Sequence, residues 1–387
     1  MTKNWWLWGM LLLATACGSD NSDTSSGGTG GTGGTGADGS GGAGTGGSAG
    51  SASGGVAGGT SCGDTSSDPS NCGACGRSCL GGTCSAGKCG VKVLAENISH
   101  ASGLAVTETN AYYGADDTVA SLSFATAEVS NLATTDGSVH DVSFDADYVY
   151  WIDMASLALY RVATSGGAAQ DLNPSGAPFN SPWAGVVAGD GYFFTQNGSP
   201  GAIRRVPTTG GNMEIFANGQ HESADIAADA ERVYWVTGMT ISPATVMSAP
   251  IGGGAPEQLA ATDGNPLRIA LNSTHVFWIE WASGTTGNLN RVSKAGGATE
   301  LIASGLANPS GLAANDQYAY VAEQNGVYVA DGRLSRIEIS TKNIEVLAEG
   351  QHGPKAVQLT SKAVVWLNGG TTASDFSDGS LSILVVD

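Results

Sequence analysis

Val149-Tyr150-Trp151-Ile152-Asp153 is one of seven short apolar-aromatic runs, and it decides the fold. Its counterparts are AYY at Ala111–Tyr113, FF at Phe193–Phe194, VYW at Val233–Trp235, VFW at Val276–Trp278, AYV at Ala319–Val321 and VVW at Val364–Trp366. Between the middle residues Tyr112, Tyr150, Phe193, Tyr234, Phe277, Tyr320 and Val365 the steps are 38, 43, 41, 43, 43 and 45 residues. A period in the low forties, built of short β-prone segments, is that of a β-propeller blade. Around VYWID stand three further strand-like pieces: HDVSF (His140–Phe144), LYRVA (Leu159–Ala163) and AQDL (Ala169–Leu172). Paired glycines at Gly166-Gly167, Gly210-Gly211, Gly253-Gly254 and Gly296-Gly297 mark the last hairpin of four units, where tight turns demand positive φ. No sustained 3.6-residue apolar period occurs, so the repeat region reads as all-β.

Counting strands closes the ring. Seven inner sets have only six outer strands following them, since the chain ends three strands into its last unit. VKVLAEN at Val91–Asn97 resembles EVLAEG at Glu345–Gly350 and supplies the missing one. The expectation is a seven-bladed, four-stranded propeller over residues 91–387 whose last blade is completed by the N-terminal strand. Closure removes an exposed sheet edge.

The rest of the chain is not propeller. Residues 1–17 read as an export signal: Lys3, an apolar Trp5–Ala14 too short to span a bilayer, then LATAC ending at Cys17. That ending resembles a bacterial lipobox, which implies lipidation of Cys17 and a membrane anchor at the cell envelope. Ala14 stands where the lipobox usually has Leu, and an unlipidated secreted form is the alternative. Residues 18–60 hold 19 glycines, with Ser, Thr and Ala between them. Such a segment cannot bury enough surface to offset its ordering and reads as a disordered linker with a coil span of roughly 35–40 Å. Residues 61–90 carry Cys62, Cys72, Cys75, Cys79, Cys84 and Cys89. In an exported chain an even set of six points to three disulfides rather than zinc or redox cycling, with 15 pairings open. The NCGACGxxC string resembles the cysteine-rich modules of myxobacterial exported proteins and lipoproteins, which implies a stalk.

The net charge is −19, from 35 acidic and 16 basic residues. An acidic surface excludes nucleic acid as a partner, because phosphate needs basic neutralisation. A monomer is expected.

Candidate site residues are those that the blades do not share. His100, His140, His221 and His352 each precede an inner-strand position (Leu104, Val142, Ile226, Val357) by two to five residues. Asp141 and Asp225 precede theirs by one, where the fifth blade has Arg268. Asp153, Glu280 and Glu323 follow the second-strand aromatic by three. All sit on loops that share the face at the mouth of the central channel. Two functions follow. The first is a non-enzymatic binding module for a protein, glycan or small ligand. The alternative is a metal-assisted lyase or hydrolase using histidine and carboxylate, with a divalent metal at the mouth. No other cofactor is implied, because phosphate-binding loops, GxSxG and HExxH are missing. No catalytic residue is assigned.

VYWID, VYWV and VFWIE resemble the second strands of YWTD-type propellers of receptor ectodomains and their bacterial relatives. The resemblance covers Val91–Asp387 and implies partner binding, but that type has six blades and most units here lack the Thr-Asp. A second resemblance, to seven-bladed streptogramin lyases, rests on blade number and mouth histidines, and that family's catalytic motif has no counterpart here.

Overall fold

A computed structural model describes residues 62–386, apart from 136, 175–180, 199, 241–242 and 327. The signal segment 1–17 with Cys17, and the linker 18–60, lie outside the described residues. Seven four-stranded antiparallel sheets stand in succession, six of them running outward from the inner strand in chain order. The inner strands are Ser102–Val106, Val139–Phe144, Pro182–Ala188, Asp225–Ala228, Asn265–Leu271, Pro309–Ala314 and Pro354–Leu359, in blades 1 to 7. The only helical turn among the described residues is a 3-10 turn at Thr372–Ser374.

Blade 7 is closed by the N-terminal strand. Lys92–Ile98 pairs antiparallel with Gly379–Val385, matching Lys92 to Ile383 and Glu96 to Ser380. The strand lies one residue later than the sequence suggests. Without it Gly379–Val385 would be an open edge.

The apolar runs are continuous because both faces of every blade are covered. Val149 and Trp151 pack back onto blade 1 with Ala105, Tyr112 and Val119. Tyr150 and Ile152 pack forward onto blade 3 with Tyr192, Phe194 and Val206. Alternation therefore divides the VYWI side chains between two cores instead of between core and water. Trp151, Trp235, Trp278 and Trp366 are fully buried. The paired glycines behave as read: Gly166 and Gly167 hold φ of 84° and 138°, values that side chains resist.

The cysteine module forms three disulfides, Cys62–Cys75, Cys72–Cys84 and Cys79–Cys89. The sulfurs of Cys72, Cys79 and Cys89 lie within 4.8 Å of one another, but each is already in a disulfide, which leaves no thiolate for zinc. Leu80 and Cys89 pack against the core of blades 7 and 1, and Lys92 Nζ donates to the Leu80 carbonyl at 3.1 Å.

Candidate functional site at the channel mouth

The inner strands begin with a bulge in six of the seven blades: the register against the second strand slips between Ser102 and Leu104, Val139 and Val142, Pro182 and Gly185, Pro266 and Arg268, Pro309 and Gly311, and Pro354 and Ala356. Proline is tolerated at such strand starts, and a bulge re-aims the side chains around it. Two rows result at the mouth. Aligned by pairing, the upper row is Ser102, His140, Trp183, Ala224, Leu267, Ser310 and Lys355. The next row is Gly103, Asp141, Ala184, Asp225, Arg268, Gly311 and Ala356. Most blades place small residues in this second row. Gly103 shows why: it holds φ of 53°, and a Cβ there would meet the Val142 nitrogen at 2.7 Å. Blades 2, 4 and 5 depart from the pattern with charge.

The inner strands enclose a cavity of about 500 Å³, lined at the mouth by His140, Asp141, Trp183, Asp225, Arg268 and Lys355. The two aspartates share one geometry. Asp141 Oδ1 accepts from the Val142 N–H at 3.0 Å and Oδ2 from the Gly185 N–H of the next blade at 2.7 Å. Asp225 accepts from the Ile226 N–H at 3.0 Å and from the Ile269 N–H of the next blade at 2.9 Å. Each carboxylate therefore ties neighbouring inner strands together. Burial pushes Asp141 up to about 7, with the Asp225 charge adding to it and the two N–H bonds and Arg268 opposing. Asp225 is raised for the same reason, again against Arg268.

The cations are differently placed. Arg268 donates to the Leu267 carbonyl at 3.0 Å, and Lys355 Nζ to the Ala101 carbonyl at 3.3 Å. Neither is within ion-pair distance of a carboxylate among the described residues. Burial first, and the Arg268 charge second, bring Lys355 down to about 8. His140 stands 4.7 Å from Trp183, ring centre to ring centre. Burial, then Lys355 and Arg268, lower it to about 3, so it is a neutral ring at neutral pH.

Of the residues singled out in the sequence, His140, Asp141 and Asp225 come together in this cavity. The others do not join them. His100, half exposed, pairs with Asp116 at 2.8 Å. His352 pairs through Nδ1 with Asp378 at 2.8 Å, and Asp378 also accepts from the Thr371 N–H and hydroxyl. His221 and His352 end equivalent stretches, NGQH at Asn218–His221 and EGQH at Glu349–His352, and in both the glutamine makes the structural bond. Gln220 Oε1 accepts the Trp235 indole N–H at 2.8 Å, and Gln351 Oε1 that of Trp366 at 2.7 Å. The expectation that Asp153, Glu280 and Glu323 face the cavity is corrected: all three are buried inside their blades. Glu323 is saturated by Arg333 at 2.8 and 2.7 Å, Ser335 at 2.6 Å and the Ala307 N–H at 2.7 Å. Glu280 accepts the Trp278 indole N–H at 3.1 Å. Asp153, one methylene shorter, accepts only the Ala155 and Ser156 N–H groups through Oδ1. Its Oδ2 and the Trp151 Nε1 both lack a protein partner among the described residues.

Sequence reasoning missed Lys355. Aligned by inner strand it stands two residues before Val357, where blade 2 has His140 and blade 3 has Trp183. That shared offset was the available signal.

No protein-family profile matches the chain, and no curated protein matches it. Solved structures do. Oligogalacturonate lyase from Vibrio parahaemolyticus superposes with a TM-score of 0.58 at 11% identity, covering 77% of this chain and 93% of that one. YCF48 from Cyanidioschyzon merolae gives 0.55 at 12% identity, covering 76% and 99%. YCF48 bound to D1 peptide gives 0.53 at 11%, covering 77% and 96%. The likeness is one of fold. At these identities the same frame carries unrelated functions.

Proposed function

We propose that the protein is a binding propeller whose ligand seats in the channel mouth. The observation that carries this reading is the charge and aromaticity at the mouth: two rows otherwise of Gly, Ala, Ser and one Leu carry Arg268, Lys355, Asp141, Asp225, His140 and Trp183 around one cavity. A concave site with a few convergent polar groups and an aromatic face is the usual form of a small-molecule site. The alternative, a metal-assisted lyase or hydrolase, asks for histidine and carboxylate atoms on one point. Here the histidines are engaged separately by Asp116, Asp378 and Trp183, and both channel aspartates are occupied by backbone N–H groups. YCF48, solved with D1 peptide, shows that a propeller of this general shape accommodates a peptide. A protein partner at the same mouth is compatible with the reading.

Gln358 lines the cavity and is exposed, so Gln358→Trp narrows it. Equilibrium dialysis against a small-molecule extract, with bound compounds identified by mass spectrometry, should show a ligand retained by the wild type and lost in Gln358→Trp. Equal retention by both, or none by either, contradicts the reading. We further propose that the ring is held at a bacterial cell envelope by lipid on Cys17, with residues 18–60 as tether. Inhibition of lipoprotein signal processing should then leave a larger precursor; an unchanged size contradicts the anchor.

A further inference from the structure

The channel cations stand out in a chain of net charge −19. Five other arginines sit opposite carboxylates: Arg205 on Asp190 and Glu214, Arg232 on Glu257, Arg291 on Glu300, Arg333 on Glu323, Arg336 on Glu345; Arg161 and Arg204 bond to Gln170 and Gln196. Arg268 and Lys355 bond only to carbonyls, while the two nearby carboxylates spend both oxygens on backbone N–H groups. The Arg268 charge reaches Lys355, and His140 feels both. Two like charges in one cavity repel, and Asp141 and Asp225, which feel Arg268, offset them only in part because burial raises both carboxyls; a bound anion relieves the rest. Beside them the neutral His140 ring and the half-buried Trp183 give an aromatic face. Asp141 and Asp225 set the charge of the guest, because a dianion would meet both carboxylates and gain less than a monoanion.

We propose that the channel mouth holds a small monoanionic carboxylate with a ring or flat apolar body, its carboxylate shared by Arg268 and Lys355 and its body laid on Trp183 and His140. The proposal rests on the channel-mouth reading above and specifies its ligand class. Guanidinium offers the paired donors that a carboxylate accepts, and a point charge from lysine completes the clamp.

Benzoate and its neutral isostere benzamide test it, titrated calorimetrically into the full chain. Benzoate should bind at pH 7 at least about tenfold more tightly than benzamide, by the removal of a charge-assisted pair. Arg268→Gln and Lys355→Met should each weaken benzoate about tenfold or more and leave benzamide unchanged. Lys355 lines the cavity with Arg268, His140, Asp141 and Asp225; from pH 7 to 9 it loses its charge while Asp141 completes its ionisation, and both changes oppose an anion. Benzoate binding should therefore fall roughly tenfold over that range in the wild type and fall less steeply in Lys355→Met. Equal binding of the two probes, abolished by Trp183→Ala, overturns the anion assignment and leaves channel binding standing. Failure of benzoate to bind while an extract ligand is still displaced by Gln358→Trp also overturns the assignment alone. Failure of both experiments overturns the two readings together.

Discussion

At the residue scale, single polar bonds distinguish blades that share a pattern. Trp235 and Trp366 each donate an indole N–H to a glutamine just ahead of the blade, Trp278 donates to Glu280, and Trp151 has no protein acceptor among the described residues. Leaving a buried donor unpaired costs about 1–3 kcal/mol. Gln220→Ala should therefore destabilise the ring by about that amount in urea denaturation. His221→Ala should change it by under about 0.5 kcal/mol, as a surface substitution does. The reverse ranking would show that the histidine, not the glutamine, is the structural member of NGQH. Asp141 gives the pH dependence. Its proton is held more tightly in the folded chain than in the unfolded one, where 3.8 is its ordinary value. Between about pH 4 and 7 the folded state thus binds more protons, and this aspartate's contribution to stability declines as pH rises through that window. Asp141→Asn should flatten the slope there. A slope unchanged from wild type would mean that channel water screens the carboxylate.

Among elements, the strand Lys92–Ile98 has the largest consequence for its length, since it closes the ring. A chain beginning at Ser99 leaves Gly379–Val385 as an open edge and uncovers Leu381 and Ile383, both buried in the closed blade. Such a chain should elute as aggregates or higher oligomers, whereas one beginning at Val91 keeps the closing strand and should remain a cooperative folder. A monomeric, equally stable Ser99 chain would mean that closure is not needed. This strand was legible in the sequence because VLAE repeats at Leu347 and Leu94 with the same offset, and double-faced burial makes the VYW runs conspicuous. The disulfide pairing was not legible, since six cysteines in a short loop-rich module satisfy several pairings sterically. The mouth was legible in part. His140, Asp141 and Asp225 are found by offset from the inner strand. Asp153, Glu280 and Glu323 were misplaced because strand-end position does not say whether a carboxylate tucks back onto its own blade's indole or backbone. The bulges that aim Lys355 and Trp183 at the cavity leave no residue signature beyond a proline in some blades.

For the whole molecule, seven nearly equivalent units leave one axial cavity, in which Arg268 and Lys355 stand with Asp141 and Asp225 inside a chain that is acidic as a whole. The ring supplies rigidity: each mouth residue stands on an inner strand packed on both sides, and Asp141 and Asp225 lock adjacent strands at the height where the cations sit. A site on such a frame costs little ordering when a ligand arrives. The central claim is that the channel mouth, not the outer rim, is the place of recognition, and that its cations do the recognising. A crystal structure of the full chain with bound benzoate tests it most directly. The account predicts the carboxylate between Arg268 and Lys355 with the ring against Trp183. Benzoate seated on the outer strands, with an empty channel, would contradict it.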